Sequence, residues 1–205
     1  MSYSYGQIST LDGFKRLASG GLKDWKFDET DPAPPSGWSN YYPWLLAGDS
    51  KNHLAITLYP YQTESDGAMQ LASYTVDSAR NLSTTNKSTD MPTPKIFPEI
   101  MSISPSGKLL AIAGISHGGC PGVCGSAGLE VFHFNGASPI TAYSKPLTTV
   151  EIDQVLWDRS NHLYALNEPG GKLFVYTITP TSIVEAPGSP FSVPADSNAL
   201  IVVPK

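Results

Sequence analysis

An all-β fold assembled from a repeated antiparallel unit is what this sequence predicts, on three observations. A six-residue word recurs as "DSKNHL" (residues 49–54), "SPSGKL" (104–109) and "DRSNHL" (158–163), at spacings of 55 and 54 residues. Word and spacing together mark a structural repeat. Each copy stands between two apolar runs and is rich in turn-compatible Ser, Asn, Gly and Asp, which predicts a hairpin. Short aromatic and β-branched runs alternate with turns along a chain that holds 18 Gly and 18 Pro.

The first two strands of each unit flank the recurring word. They are "PWLLAG" and "LAITLY" in the first copy, "EIMSI" and "LLAIAG" in the second, "DQVLW" and "LYALN" in the third. A second word supplies the third strand: "LASYTV" from Leu71, "LEVFHF" from Leu129 and "LFVYTI" from Leu173. Its alternation fits a strand with one face buried. Leu82, Ile140 and Ile183 then open a fourth short strand after a Gly, Asn or Pro turn.

Four antiparallel strands, a to d, repeating at this length describe a β-propeller blade. The ends fit the same scheme. Leu11, Phe14 and Leu22 repeat a c–d half, with Arg16 where an apolar residue is usual, and "ALIVVPK" reads as a lone a strand. The expectation is a single domain: a c–d half-blade over 1–43, full blades over 44–98, 99–152 and 153–198, and an a strand over 199–205. About four blades make a partial or open propeller. Repeat-equivalent packing predicts burial of Leu46, Leu54, Ile56, Ile103, Leu109, Ala111, Val155, Leu163, Ala165, Tyr74, Phe132 and Tyr176.

Composition narrows the function classes. The 205 residues are 40% apolar and 15% charged, and the net charge of −5 argues against nucleic acid as a partner. No run of 18 apolar residues is present to span a membrane. The start, "MSYSYGQIS", has neither the basic nor the apolar part of a signal peptide, so the chain is expected to be cytosolic or to lack its true N-terminus.

The hairpin type "SPSGKLLAIAG", the blade length and the "GSPFSV" segment at 188–193 resemble the lactonase-like propellers, relatives of 6-phosphogluconolactonase and of the YVTN surface-layer repeats. The resemblance covers 44–205 and, loosely, 8–43. It implies a seven-bladed ring of which this chain is a C-terminal part, a bacterial source, and lactone hydrolysis at the channel mouth.

Blade geometry places the start of each a strand at that mouth. Glu99 and Asp153 are repeat-equivalent there, as a general base, as ligands of a divalent cation such as calcium, or as solvated strand-start acids. The long b–c loop "ISHGGCPGVCGSAG" (115–128) overhangs the mouth with His117, and Glu99, Asp153 and His117 form the candidate catalytic set. His53 and His162 occupy matching hairpin positions opposite Lys108 and read as structural. No phosphate-binding Gly loop or nucleophile elbow occurs, and no resident cofactor is expected.

Cys120 and Cys124 can form a local disulfide, remain thiols or ligate a metal. The disulfide is favoured and implies the periplasm or secretion, with the cytoplasm as the alternative. Asn81 and Asn86 sit in glycosylation sequons. Only Lys95 and Lys145 offer positive charge near the mouth, and the acidic "YPYQTESDG" loop (59–67) opposes it, so an uncharged lactone or carbohydrate fits better than a phosphosugar. Two functions follow: a lactone hydrolase, or a non-catalytic scaffold binding a protein or glycan at the cell surface. Open blade edges also predict self-association.

Overall fold

Strands follow one another without a helix among the described residues of the computed structural model, which are 11, 13–25, 29–62, 65–115, 126–194 and 197–202. Strand β1 (Gly13–Arg16) pairs antiparallel with β2 (Leu22–Trp25) as a separate two-stranded sheet. The first full blade contains β3 (Glu29–Thr30), β4 (Asn40–Gly48), β5 (His53–Gln62), β6 (Ser65–Asp66), β7 (Gln70–Val76) and β8 (Leu82–Ser83). Its order is β3-β8-β7-β5-β4, with β6 on β5 and a parallel β3–β8 contact at the edge. Strand β4 begins ahead of the boundary drawn at residue 44.

The second blade is β9 (Ile100–Ile103), β10 (Leu109–Gly114), β11 (Gly128–Asn135) and β12 (Ser138–Ala142). The third is β13 (Gln154–Trp157), β14 (His162–Asn167), β15 (Lys172–Thr179) and β16 (Ser182–Glu185). There the "GSPFSV" segment adds β17 (Phe191–Ser192) on β15. All three blades run a, b, c, d through antiparallel neighbours, and the molecule is a partial β-propeller.

The core lies between blades. Leu110, Ile112, Phe132 and Phe134 of the second blade pack on Ala55 and Leu71 of the first. Leu109, Ala111 and Val131, on its other face, pack on Val155, Leu163, Ala165 and Tyr176 of the third. Covered on both sides, β10 is buried along its whole length. Burial of each such Leu, Ile or Phe contributes about 1.5–3 kcal/mol, which makes the blade interfaces the main source of stability.

The recurring words are not in one register. Leu54 faces Gly48 and Tyr74, and Leu163 faces Trp157 and Tyr176, but Leu110, not Leu109, faces Ile103 and Phe132. The hairpins close as Asp49 N–H to His53 O, Asp158 N–H to His162 O, and Ser104 N–H to Leu109 O. Residue Lys108 is therefore an insertion after the left-handed turn residue, which is Asn52 (φ 64°), Asn161 (φ 61°) or Gly107 (φ 67°). The expected match of Lys108 with His53 and His162 is corrected: Leu109 holds that place.

Most of the expected core is buried, with three departures. Leu46 is 55% exposed, while Leu54 and Ile103 are half-buried. Leu46 and Leu54 lie on the side of the first blade that faces the N-terminal hairpin, and two strands cannot cover what a whole blade would. They border a cleft of about 560 Å³ with Leu11, Phe14, Val76 and Arg80. Of the a strand expected over 199–205, residues 199–202 form no strand and 203–205 lie outside the described residues. Leu200 N–H donates to Oε1 of Gln154, the first residue of β13, at 2.9 Å.

Candidate functional site

Three residues stand five positions ahead of the recurring words: Glu99 and Asp153, each just before its a strand, and Trp44, inside the longer β4. Glu99 N–H donates to Ala113 O at 2.9 Å, and Asp153 N–H donates to Leu166 O at 2.8 Å, so the two acids hold the same rung of successive ladders. The Asp153 carboxylate turns to the b–c turn of its own blade, where Oδ2 accepts Glu168 N–H at 2.8 Å. Asn167 Nδ2 donates to Glu151 O at 2.7 Å and fastens the same end. Asp153 thus serves as a strap between strand start and turn. Glu99 is half-buried. His117, Cys120 and Cys124 lie outside the described residues, so the third member of the candidate set is not placed. Among the described residues no three His, Cys, Asp or Glu side chains come together as a metal site.

The first blade puts an aromatic residue where the others put acids. The β4–β5 ribbon is longer than its counterparts, and the pleat brings Tyr42 opposite Tyr59 with Tyr61 two residues on, on the same face. Ring centroids of Tyr42 and Tyr59 are 5.1 Å apart and stacked, and Tyr42 meets Tyr61 edge-on at 5.8 Å. Trp44 stands edge-on to Tyr59 at 6.0 Å and to Phe97 at 6.5 Å. Its Nε1 donates to Pro98 O at 3.1 Å, next to Glu99, yet the side of the residue remains 48% exposed.

Several local devices hold that arrangement. The ladder slips between Pro43 and Leu46, and Thr57 Oγ1 accepts the displaced Leu45 N–H at 2.8 Å. Gly114 has no room for a side chain, because a Cβ would lie 1.7 Å from Phe97 O. Only glycine lets the segment before β9 cross β10 so closely and set Phe97 against Trp44. On the opposite face of the ribbon, the Tyr41 hydroxyl donates to Gln70 Oε1, and burial pushes its phenol up to about 12.

This aromatic run was visible as "YYPW" and "LYPY". Period-2 alternation across a hairpin would have placed Tyr42, Trp44, Tyr59 and Tyr61 on one face. The acidic loop expected over 59–67 is corrected: residues 59–62 belong to β5 and 65–66 to β6.

The hairpin histidines resolve as structural. In the twin hairpins Asp49 Oδ2 meets His53 Nδ1 at 2.9 Å and Asp158 Oδ2 meets His162 Nδ1 at 2.6 Å. Each Asp Oδ1 also accepts two backbone N–H groups, from Lys51 and His53 or from Ser160 and His162. Burial pushes both carboxyls up, but these bonds outweigh it and hold them below the usual range. The sequon at Asn86 is buried, with Oδ1 accepting Ser73 N–H at 2.7 Å, so it presents no surface amide. Lys95 and Lys145 are exposed. Lys95 N–H donates to Oε2 of the buried Glu130 at 2.8 Å.

No family model matches the chain, and no curated protein matches it. A solved structure does: the crystal structure of a protein from Lactobacillus plantarum, at a TM-score of 0.54 and 16% identity. The alignment covers 85% of this chain and 49% of that one, so the chain spans about half the length of the structure it matches. At this identity the likeness supports the fold alone.

Proposed function

We propose that the chain is a non-catalytic binding scaffold whose working surface is the face where the a strands begin. One observation carries the reading: the Asp153 carboxylate is tied to Glu168 N–H, so one of the two acids at the mouth is structural. A general base must reach the proton it takes, and a carboxylate spent on a turn is poorly placed for that. The ribbon of Tyr42, Trp44, Tyr59 and Tyr61 on the same face offers contact area in place of acid–base chemistry.

The second reading is a lactone hydrolase of the lactonase-like propellers. It is favoured by the hairpin words and by Glu99 on the rung matching Asp153. Glu99 or His117 would activate water for attack on the ring carbonyl, and polar mouth groups would stabilise the oxyanion. Assays of the purified protein on aldonolactones and acyl lactones separate the two. The scaffold reading expects no turnover above a heat-denatured control. Turnover that disappears in Glu99→Gln or in His117→Ala would overturn it. The disulfide between Cys120 and Cys124, and with it a periplasmic or secreted location, is proposed on the same footing; a thiol titration of the unfolded, unreduced protein tests it.

A further inference from the structure

We infer that the aromatic ribbon centred on Trp44 is a carbohydrate-binding site that takes the apolar face of a neutral sugar ring. The inference rests on the scaffold reading above and names its ligand.

Trp44 has no polar duty left at the surface. Its indole N–H is satisfied inside by Pro98 O at 3.1 Å, and Tyr59 and Phe97 flank it edge-on at 6.0 and 6.5 Å. The residue keeps 48% of its surface open to solvent, in a position fixed before any ligand arrives. Preorganisation of that kind lowers the entropic cost of binding. Tyr42 and Tyr61 continue the surface along the ribbon, with centroids 5.8 Å apart. Each combines an apolar ring with a hydroxyl able to bond a ligand.

A saccharide matches this chemistry. Its ring carries aliphatic C–H faces that stack on aromatic rings and hydroxyls around the rim that need acceptors. Glu99 stands beside Pro98, the residue that anchors Trp44, and its carboxylate is a hydroxyl acceptor. Charge selects further: the chain carries −5, and the nearby Glu99 disfavours acidic glycans.

Native affinity electrophoresis in gels containing soluble neutral polysaccharides (a β-glucan, a mannan and an α-glucan), with an acidic uronan in parallel, tests the site. Binding to at least one neutral polymer is expected, with quenching or a blue shift of tryptophan fluorescence. Trp44→Ala should weaken it about tenfold or more, Trp44→Phe less, and Glu99→Ala several-fold. Tyr61→Ala, further from the Pro98 anchor, provides a variant less exposed to folding failure and should also weaken binding. Unchanged far-UV circular dichroism keeps each variant interpretable. Wild-type affinity in both Trp44→Ala and Tyr61→Ala, no binding to any neutral polymer, or binding to the uronan alone would overturn the inference. Lactone turnover alongside Trp44-dependent sugar binding would overturn the non-catalytic reading and leave this site standing.

Discussion

Glu130 shows how one buried carboxyl sets a pH dependence. It is 3% exposed between the first and second blades, and burial pushes its carboxyl up while Lys95 N–H, bonded to Oε2, pulls the other way. The folded state therefore holds this proton more tightly than the unfolded chain. Its contribution to stability is present at low pH and declines as pH rises from the ordinary value of 4.5 through the raised one. Glu130→Gln keeps an acceptor for Lys95 N–H and removes the charge. It should melt about 2–4 °C above wild type at pH 7 and lose that advantage near pH 4. Thermal melts at both pH values check this, and a lower melting point at pH 7 would show that the anion is the preferred form. Asp49 has the opposite sign. Its lowered carboxyl stabilises above the unfolded value of 3.8, and the contribution is lost as pH falls through the folded one. Asp49→Ala should cost about 2 kcal/mol at neutral pH, measured by urea unfolding, with the deficit shrinking in acid. The twin hairpins were legible as words, because Asp, Asn and His at fixed offsets are what such a turn requires.

Among the elements, the b strand of the second blade separates two readings that look alike on paper. "KLL" at 108–110 lets either leucine face Phe132, and apolar alternation cannot choose between them. The ladder chooses Leu110, and Lys108 becomes the extra turn residue, its carbonyl accepting Phe134 N–H at 2.9 Å. Deleting Lys108 leaves Leu109 in its buried place against the third blade and gives the hairpin the length of its neighbours. A loss of at most about 1 kcal/mol is expected. Deleting Leu109 shortens the chain equally but drives Lys108 into that buried place, at a cost of about 3 kcal/mol or more. Equal denaturation midpoints for the two deletions would restore the register suggested by the words. The strand sequence a, b, c, d and the positions of Leu82, Ile140 and Ile183 were readable because each is a local pattern. The exposure of Leu46 was not, since it depends on how fully the neighbouring unit covers it. The match of Trp44 with Glu99 and Asp153 was readable by counting five residues back from each word, whereas the slip between Pro43 and Leu46, which depends on how the ribbon pairs beyond it, was not.

Across the whole molecule, blades stabilise one another like other stacked repeats, and a repeat with one neighbour has one bare face. The second blade has two neighbours and a strand β10 buried throughout. The ends do not. Phe14 is 56% exposed, Leu22 68% and Leu46 55% at the N-terminal side, while Val184 is 57%, Phe191 41% and Ile201 82% exposed toward the other. These two groups sit at opposite ends of the blade series, so contact between them in two molecules is heterologous and need not close after one step. We expect concentration-dependent self-association, visible by light scattering coupled to size exclusion between about 1 and 100 µM, a range in which weak end-to-end contacts of about 6–8 kcal/mol become populated. Because each head-to-tail contact uses both faces, charge on either one should suppress it. Val184→Lys and Leu46→Lys should each shift the protein toward monomer, and mixing the two variants should recover one kind of contact, between the unaltered face of each. A monodisperse monomer at the highest concentration would mean that the end faces are covered within the chain itself, and that the blade series is sealed.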